Sequence, residues 1–122
     1  MSKGSLAVSQ TNEVTVVSFR STTVLDISTS QSLAKEMLRL ASGPPAPRIV
    51  VDFSEVRFIA SRMLGILVEL TKKAQAAHGQ VVVCGLQGDV NRVFRVMRLD
   101  KLLTIAESPK AAIDLLDPAG EA

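Results

Sequence analysis

Ile49-Val50-Val51-Asp52-Phe53-Ser54-Glu55-Val56-Arg57-Phe58-Ile59-Ala60-Ser61-Arg62-Met63-Leu64-Gly65-Ile66-Leu67 is the stretch whose reading decides the fold. Arg48 to Phe53 is apolar without alternation, the pattern of a strand buried on both faces in the middle of a parallel sheet. A short polar turn follows, and a second apolar pair, Phe58-Ile59, delivers Ser61 to the mouth of a helix. A hydroxyl there sits beside unpaired N–H groups and the positive end of the helix dipole, so a phosphate added to it would be held locally. The same phosphate would bring about two negative charges to the surrounding surface.

The helix that Ser61 opens is expected to run to about His78, with Gly79 as its stop. Met63, Ile66, Leu67, Leu70, Ala74 and Ala77 recur at helical spacing and should face the sheet. Leu64 and Val68 form another line, four residues apart, on the side of Ser61. Apolar residues outside the core stripe suggest a docking surface, the alternative being a wide apolar helix that is simply buried more deeply.

Upstream, Leu6 to Gln10 and Val14 to Phe19 are β-rich runs joined by Thr11-Asn12-Glu13, which suggests an opening antiparallel hairpin. Thr22 to Leu25 would extend the sheet. Ser28 followed by Gln31 fits a capping box, and Leu33, Ala34, Met37, Leu38 and Ala41 give the next helix one apolar face. Gly43-Pro44-Pro45-Ala46-Pro47 ends that helix.

Downstream, Gln80 to Leu86 reads as another buried strand, and Gln87-Gly88-Asp89 turns into a helix with Val90, Val93, Phe94 and Met97 as its buried stripe. Leu102 to Ala106 reads as the last strand. Ser108-Pro109 is a cap followed by proline at the first helical position, opening a short helix through Leu116. Strands alternating with helices predict an α/β fold: a mixed, mostly parallel sheet of four to five strands, an N-terminal antiparallel hairpin and about four helices. One domain fills residues 1–122, with an ordered core over about 5–117 and a frayed tail.

Composition narrows the function classes. Hydrophobic content of 47% with 21% charged residues is that of a folded globule. The chain has no Trp or Tyr and only four Phe, which leaves no stacking platform for single-stranded nucleic acid. A net charge of +2 gives no strong electrostatic reason for a nucleic-acid or membrane partner. The single cysteine, Cys84, excludes an internal disulfide and a multi-cysteine zinc site, and lies in an apolar run that predicts a buried thiol. No signal-like or membrane-spanning run occurs, so a cytoplasmic location is expected.

Catalytic signals are sparse. There is no Walker loop and no G-x-G-x-x-G, while Gly85 and Gly88 merely flank a turn. His78, the only histidine, sits at a helix C-terminus, where a cation complements the dipole. A hydrolytic triad through Ser61 would need a base, and no histidine lies near it in sequence. Asp26 and Asp52 could form a carboxylate pair, although strand-end aspartates commonly form turns. Arg92, Arg95 and Arg98 lie within about a turn of one another and read as a solvated basic face, with a phosphate or nucleic-acid patch as the alternative. No catalytic residue, metal ligand or cofactor is expected.

The pattern resembles the STAS domain family, that of the anti-sigma factor antagonists (anti-anti-sigma factors), over nearly the whole chain. It is carried by Val14-Thr15-Val16, Leu25-Asp26, Val50 to Ile59, Ser61, Leu64 to Leu67, Val83-Cys84-Gly85-Leu86, Val90, Val93-Phe94 and Arg98 to Leu102. The resemblance implies a non-enzymatic switch. In that family the unphosphorylated antagonist binds an anti-sigma factor serine kinase, phosphorylation of a serine opening the second helix ends binding, and a serine phosphatase restores it. Ser61 matches that serine and Asp26 an acidic position near it. Ser61, Arg62, Leu64, Gly65 and Val68, with Asp26, are the implied partner-binding residues. Where members usually read Asp-Ser-small-Gly, this chain has Ala60-Ser61-Arg62-Met63, and Arg62 could pair with phosphate on Ser61 or with an acidic partner surface. A monomer or weak dimer is expected, with no direct nucleic-acid or membrane partner. A stressosome-like or transporter-associated STAS scaffold subunit, without a sigma circuit, is the alternative.

Overall fold

A computed structural model describes residues 6–11, 13–19, 23–24, 35–42, 46–59 and 61–116. The elements run β1 (Leu6–Thr11), β2 (Val14–Phe19), β3 (Thr23–Val24), helix α1 at 35–40, β4 (Arg48–Asp52), β5 (Phe58–Ile59) and α2 (Ser61–Ala76). They continue with β6 (Gln80–Cys84), α3 (Gly88–Val96), α4 (Leu99–Leu102), β7 (Thr104–Ala106) and α5 (Pro109–Leu116). The expected capping box at Ser28 and Gln31 lies outside the described residues.

Five strands form one sheet in the order β1-β2-β4-β6-β7. The β1–β2 pair is antiparallel and closes at Thr11↔Val14, with Glu13 in the left-handed region at φ 68°. The β2–β4, β4–β6 and β6–β7 pairs are parallel, as the unbroken apolar runs of β4 and β6 require. The strand expected at Thr22–Leu25 does not extend this sheet. Its two residues pair with β5 in a separate parallel ribbon, Thr23↔Phe58 and Val24↔Ile59.

Strand alternation splits the core into two layers. Val17, Phe19, Ile49, Val51, Val81 and Val83 are buried with Met37, Met63, Leu67, Leu70, Val90, Phe94 and Leu99, on the face covered by α1 to α4. Val14, Val16, Val50, Val82 and Cys84 point the other way and are buried with Ala112 and Leu116 of α5. Phe53 lies at the centre of the first layer, stacked on Phe19 at 5.1 Å between ring centroids and edge-on to Phe94 at 6.0 Å.

Helix ends differ in detail from their sequence reading. The α2 stop is a Schellman motif: the Gly79 N–H donates to the Ala74 carbonyl at 2.7 Å and the His78 N–H to Gln75 at 3.0 Å. The left-handed residue is His78, at φ 66°, rather than the glycine. Gly79 is required for space instead, because a Cβ there would lie 2.0 Å from the Pro47 carbonyl oxygen. Helix α3 stops at Val96, so Met97 caps it and is 55% exposed instead of completing the buried stripe. Arg98 then turns left-handed at φ 59°, and Leu99–Leu102 form the one-turn helix α4, so the last strand, expected from Leu102, begins at Thr104. At α5 the Ser108 hydroxyl accepts from the Ala111 N–H at 3.2 Å, the predicted cap.

Candidate functional site: the helix mouth at Ser61 and the loops beneath it

The site is built on the carboxyl ends of β4 and β6, where an open α/β sheet leaves its loops free. Asp52 ends β4 half-buried. Its Oδ1 accepts from the Ser54 N–H at 2.9 Å and from the Ser54 hydroxyl at 2.5 Å, folding residues 52–54 into an Asx-type turn. The Phe53 N–H donates to the Cys84 carbonyl at 2.9 Å, extending the β4–β6 register by one step into the loops.

The neighbouring strand closes onto this turn. Gly85 sits at φ 74°, and a Cβ built there would lie 2.5 Å from the Ser54 hydroxyl oxygen and 2.8 Å from Asp52 Oδ1. Only glycine meets both conditions. The Gln87 side-chain amide donates to the Ser54 carbonyl, so the loops after β4 and β6 are clasped from both sides. Cys84 is fully buried and its thiol approaches Asp52 Oδ1 at 3.8 Å. Burial, then the Asp52 charge, then that hydrogen bond push the thiol up from about 9 to about 12. The expected buried thiol therefore has a carboxylate beside it.

From the clasp the chain runs through buried Val56 and exposed Arg57 into β5, and α2 begins at Ser61, where the sequence placed it. A cleft of about 400 Å³ lies between the two loops, lined by Val56, Arg57, Gln87, Gly88 and Asp89. No acidic residue occupies the first turn of α2, so that turn itself brings no complementary charge to the positive end of its dipole. For Ser61 and Arg62 the structure describes backbone placement only, and Asp26 and Ala60 lie outside the described residues.

The remaining expected contact residues separate. Leu64 is only 5% exposed and belongs to the core, so the deeper-burial alternative holds at that position. Val68 is half-buried against the same core. Gly65 is exposed, with none of the described residues within 4 Å of a Cβ built on it. Arg92, Arg95 and Arg98 are exposed, Arg92 reaching Asp89 at 3.7 Å. The clasp of Asp52, Ser54, Gly85 and Gln87 was not foreseen; the Cys-Gly-Leu turn was its one visible signal.

Residues 6–104 match the family model described as "Mlab, STAS domain". The chain belongs to the STAS domain family. Among solved structures, this STAS chain is 27% identical to an anti-sigma factor antagonist from Mycobacterium paratuberculosis, covering 91% of this chain and 92% of that one with a TM-score of 0.73. An anti-sigma-factor antagonist (STAS) domain protein from Planctomyces limnophilus is 20% identical, with 91% and 96% covered and a TM-score of 0.81. The Bacillus cell fate determinant SpoIIAA in its phosphorylated form is 17% identical, with 90% and 97% covered and a TM-score of 0.67. Among the described residues no helix is long and apolar enough to cross a membrane, and no cluster of His, Cys, Asp and Glu could hold a metal ion.

Proposed function

We propose that this STAS domain is a non-enzymatic, cytoplasmic anti-sigma factor antagonist. It binds an anti-sigma factor serine kinase through the mouth of α2 and is released when Ser61 is phosphorylated, with a serine phosphatase reversing the switch. The observation that carries the reading is that α2 opens at Ser61 with no acidic residue in its first turn. A dianion added there complements the dipole locally, so the phosphorylated domain keeps its fold. The same dianion would face any partner seated on that end of the helix, and its desolvation opposes binding by several kcal/mol, on the order of the burial penalty for charge.

Gly65 supports the contact. A solvent-facing glycine inside a helix costs about 1 kcal/mol relative to alanine, and none of the described residues crowds the position. Close approach of a partner backbone gives it a purpose. Arg62 and Val68 complete the contact in this reading, Leu64 supports it from within the core, and Asp26 is the supporting acidic residue. The test pairs the domain with a histidine-kinase-like ATPase of the anti-sigma class and ATP, followed by mass spectrometry. Phosphate should appear on Ser61 alone. By titration calorimetry Ser61→Ala should retain partner binding and Ser61→Asp should abolish it; equal affinity for these two variants defeats the proposal.

A further inference from the structure

The corner between α3 and α4 carries large apolar side chains left exposed by the described residues. Val96 is 71% exposed, Met97 55% and Leu102 60%, all within one turn-linked segment. They belong to neither core layer. Ile105, on the β7 edge strand that follows, is 37% exposed.

Exposed cations neighbour these residues along the same segment. Arg92 and Val96 are four apart on the solvent face of α3, opposite buried Val90 and Phe94, with Arg95 adjoining. Arg98 sits in the turn and Lys101 on α4, both exposed. The ion pairs among the described residues engage only Arg92 of this group, which leaves Arg95, Arg98 and Lys101 without a carboxylate partner there. Against Arg92, Arg95, Arg98 and Lys101 the segment sets only Asp89 and Asp100, a surplus of 4 − 2 = +2 that equals the net charge of the whole chain.

We infer that the α3–α4 corner docks an acidic protein segment that inserts apolar side chains against Val96, Met97 and Leu102 while its carboxylates meet Arg95, Arg98 and Lys101. Charge complementarity selects this occupant over two others. A second copy joined face to face by a two-fold axis would bring together two surfaces with the same surplus of positive charge. A bilayer surface takes a continuous amphipathic helix, and here Arg98 breaks the chain at φ 59° between a helix that ends at Val96 and a single turn. The inference is independent of Ser61: α3 begins at the site cleft with Gly88, and the patch lies at its other end.

The experiment is an NMR titration of the labelled full chain with a Leu/Glu amphipathic helical peptide, run beside a Leu/Lys peptide of the same pattern. The acidic peptide should shift amides across 92–105, with affinity falling as salt is raised. A paired variant, R95E/K101E, should weaken it by about tenfold or more, as expected for reversal of two rim charges. Leu102→Ser should also weaken it while the amide spectrum of the core stays unchanged, which separates lost contact from lost fold. Equal binding of the lysine peptide overturns the inference. So does binding only to anionic phosphatidylserine vesicles, or concentration-dependent dimerisation by sedimentation that L102S removes. Failure of Ser61→Asp to alter kinase binding would leave this result standing.

Discussion

At the scale of single residues, the site depends on groups whose demands conflict with an ordinary side chain. Gly85→Ala meets a positive φ, the Ser54 amide nitrogen at 2.7 Å and the Asp52 carboxylate together, and the backbone atom cannot swing aside. We expect it to cost about 2 kcal/mol or more, read as a lower urea midpoint. Gly65→Ala should do the reverse to the fold, raising stability by about 0.5–1 kcal/mol through helix propensity while weakening partner binding. A variant that is stabilised with binding unchanged would remove Gly65 from the contact. The Cys84 thiol gives a pH signature. Below about 9 both folded and unfolded chains hold its proton; between there and about 12 the unfolded chain releases it and the folded chain retains it. The unfolded state then binds fewer protons, so stability falls with rising pH, by about 1.4 kcal/mol per unit across that window for this group alone. Chemical denaturation of wild type and Cys84→Ala side by side should show the extra loss only in wild type.

At the scale of elements, what could be read from the sequence was what the chain decides locally. The buried runs of β4 and β6, the opening of α2 at Ser61 and the Ser108-Pro109 start of α5 each rest on neighbouring residues, and each is in place. What escaped was settled at a distance. The ribbon of β3 and β5 has two residues per strand, too few to carry a period, so its choice of partner is purely tertiary. The apolar rhythm of α3 continues through Met97, but the helix breaks before that residue can be buried. The clasp joins Ser54 to Gln87 across 33 positions, and no spacing rule links them. The α2 stop shows how near such readings come: glycine was located correctly but its task was misassigned. Because His78 carries the left-handed strain, His78→Gly should stabilise the domain by about 1 kcal/mol. Gly79→Ala, driven into the Pro47 carbonyl, should destabilise it more strongly. Thermal melts of the two variants test the assignment, which fails if their signs are exchanged.

At the scale of the whole molecule, the sheet is covered unequally, and that asymmetry sets where the chain can tolerate change. The face on which α2 lies is shielded by α1 to α4 and knitted by the Phe19–Phe53–Phe94 stack. The opposite face rests on α5, whose Ala112 and Leu116 cover Val14, Val16, Val50, Val82 and Cys84. Leu116 is 3% exposed, whereas its neighbour Leu115 is 53% exposed, so adjacent leucines of equal volume offer a matched comparison. Leu116→Ala should cost about 2–5 kcal/mol, a large share of the roughly 5–15 kcal/mol that holds a domain of this size together. Leu115→Ala should stay within about 0.5 kcal/mol of wild type. The thiol of Cys84 reports the same difference from inside the layer: with α5 loosened it should react with a disulfide reagent far faster than in wild type or L115A. The partner binding proposed at the α2 mouth, across the sheet from this layer, should persist in Leu116→Ala at temperatures where the domain stays folded. Loss of binding without loss of fold would mean the two faces are coupled, and the switch would then have to be sought in the sheet itself.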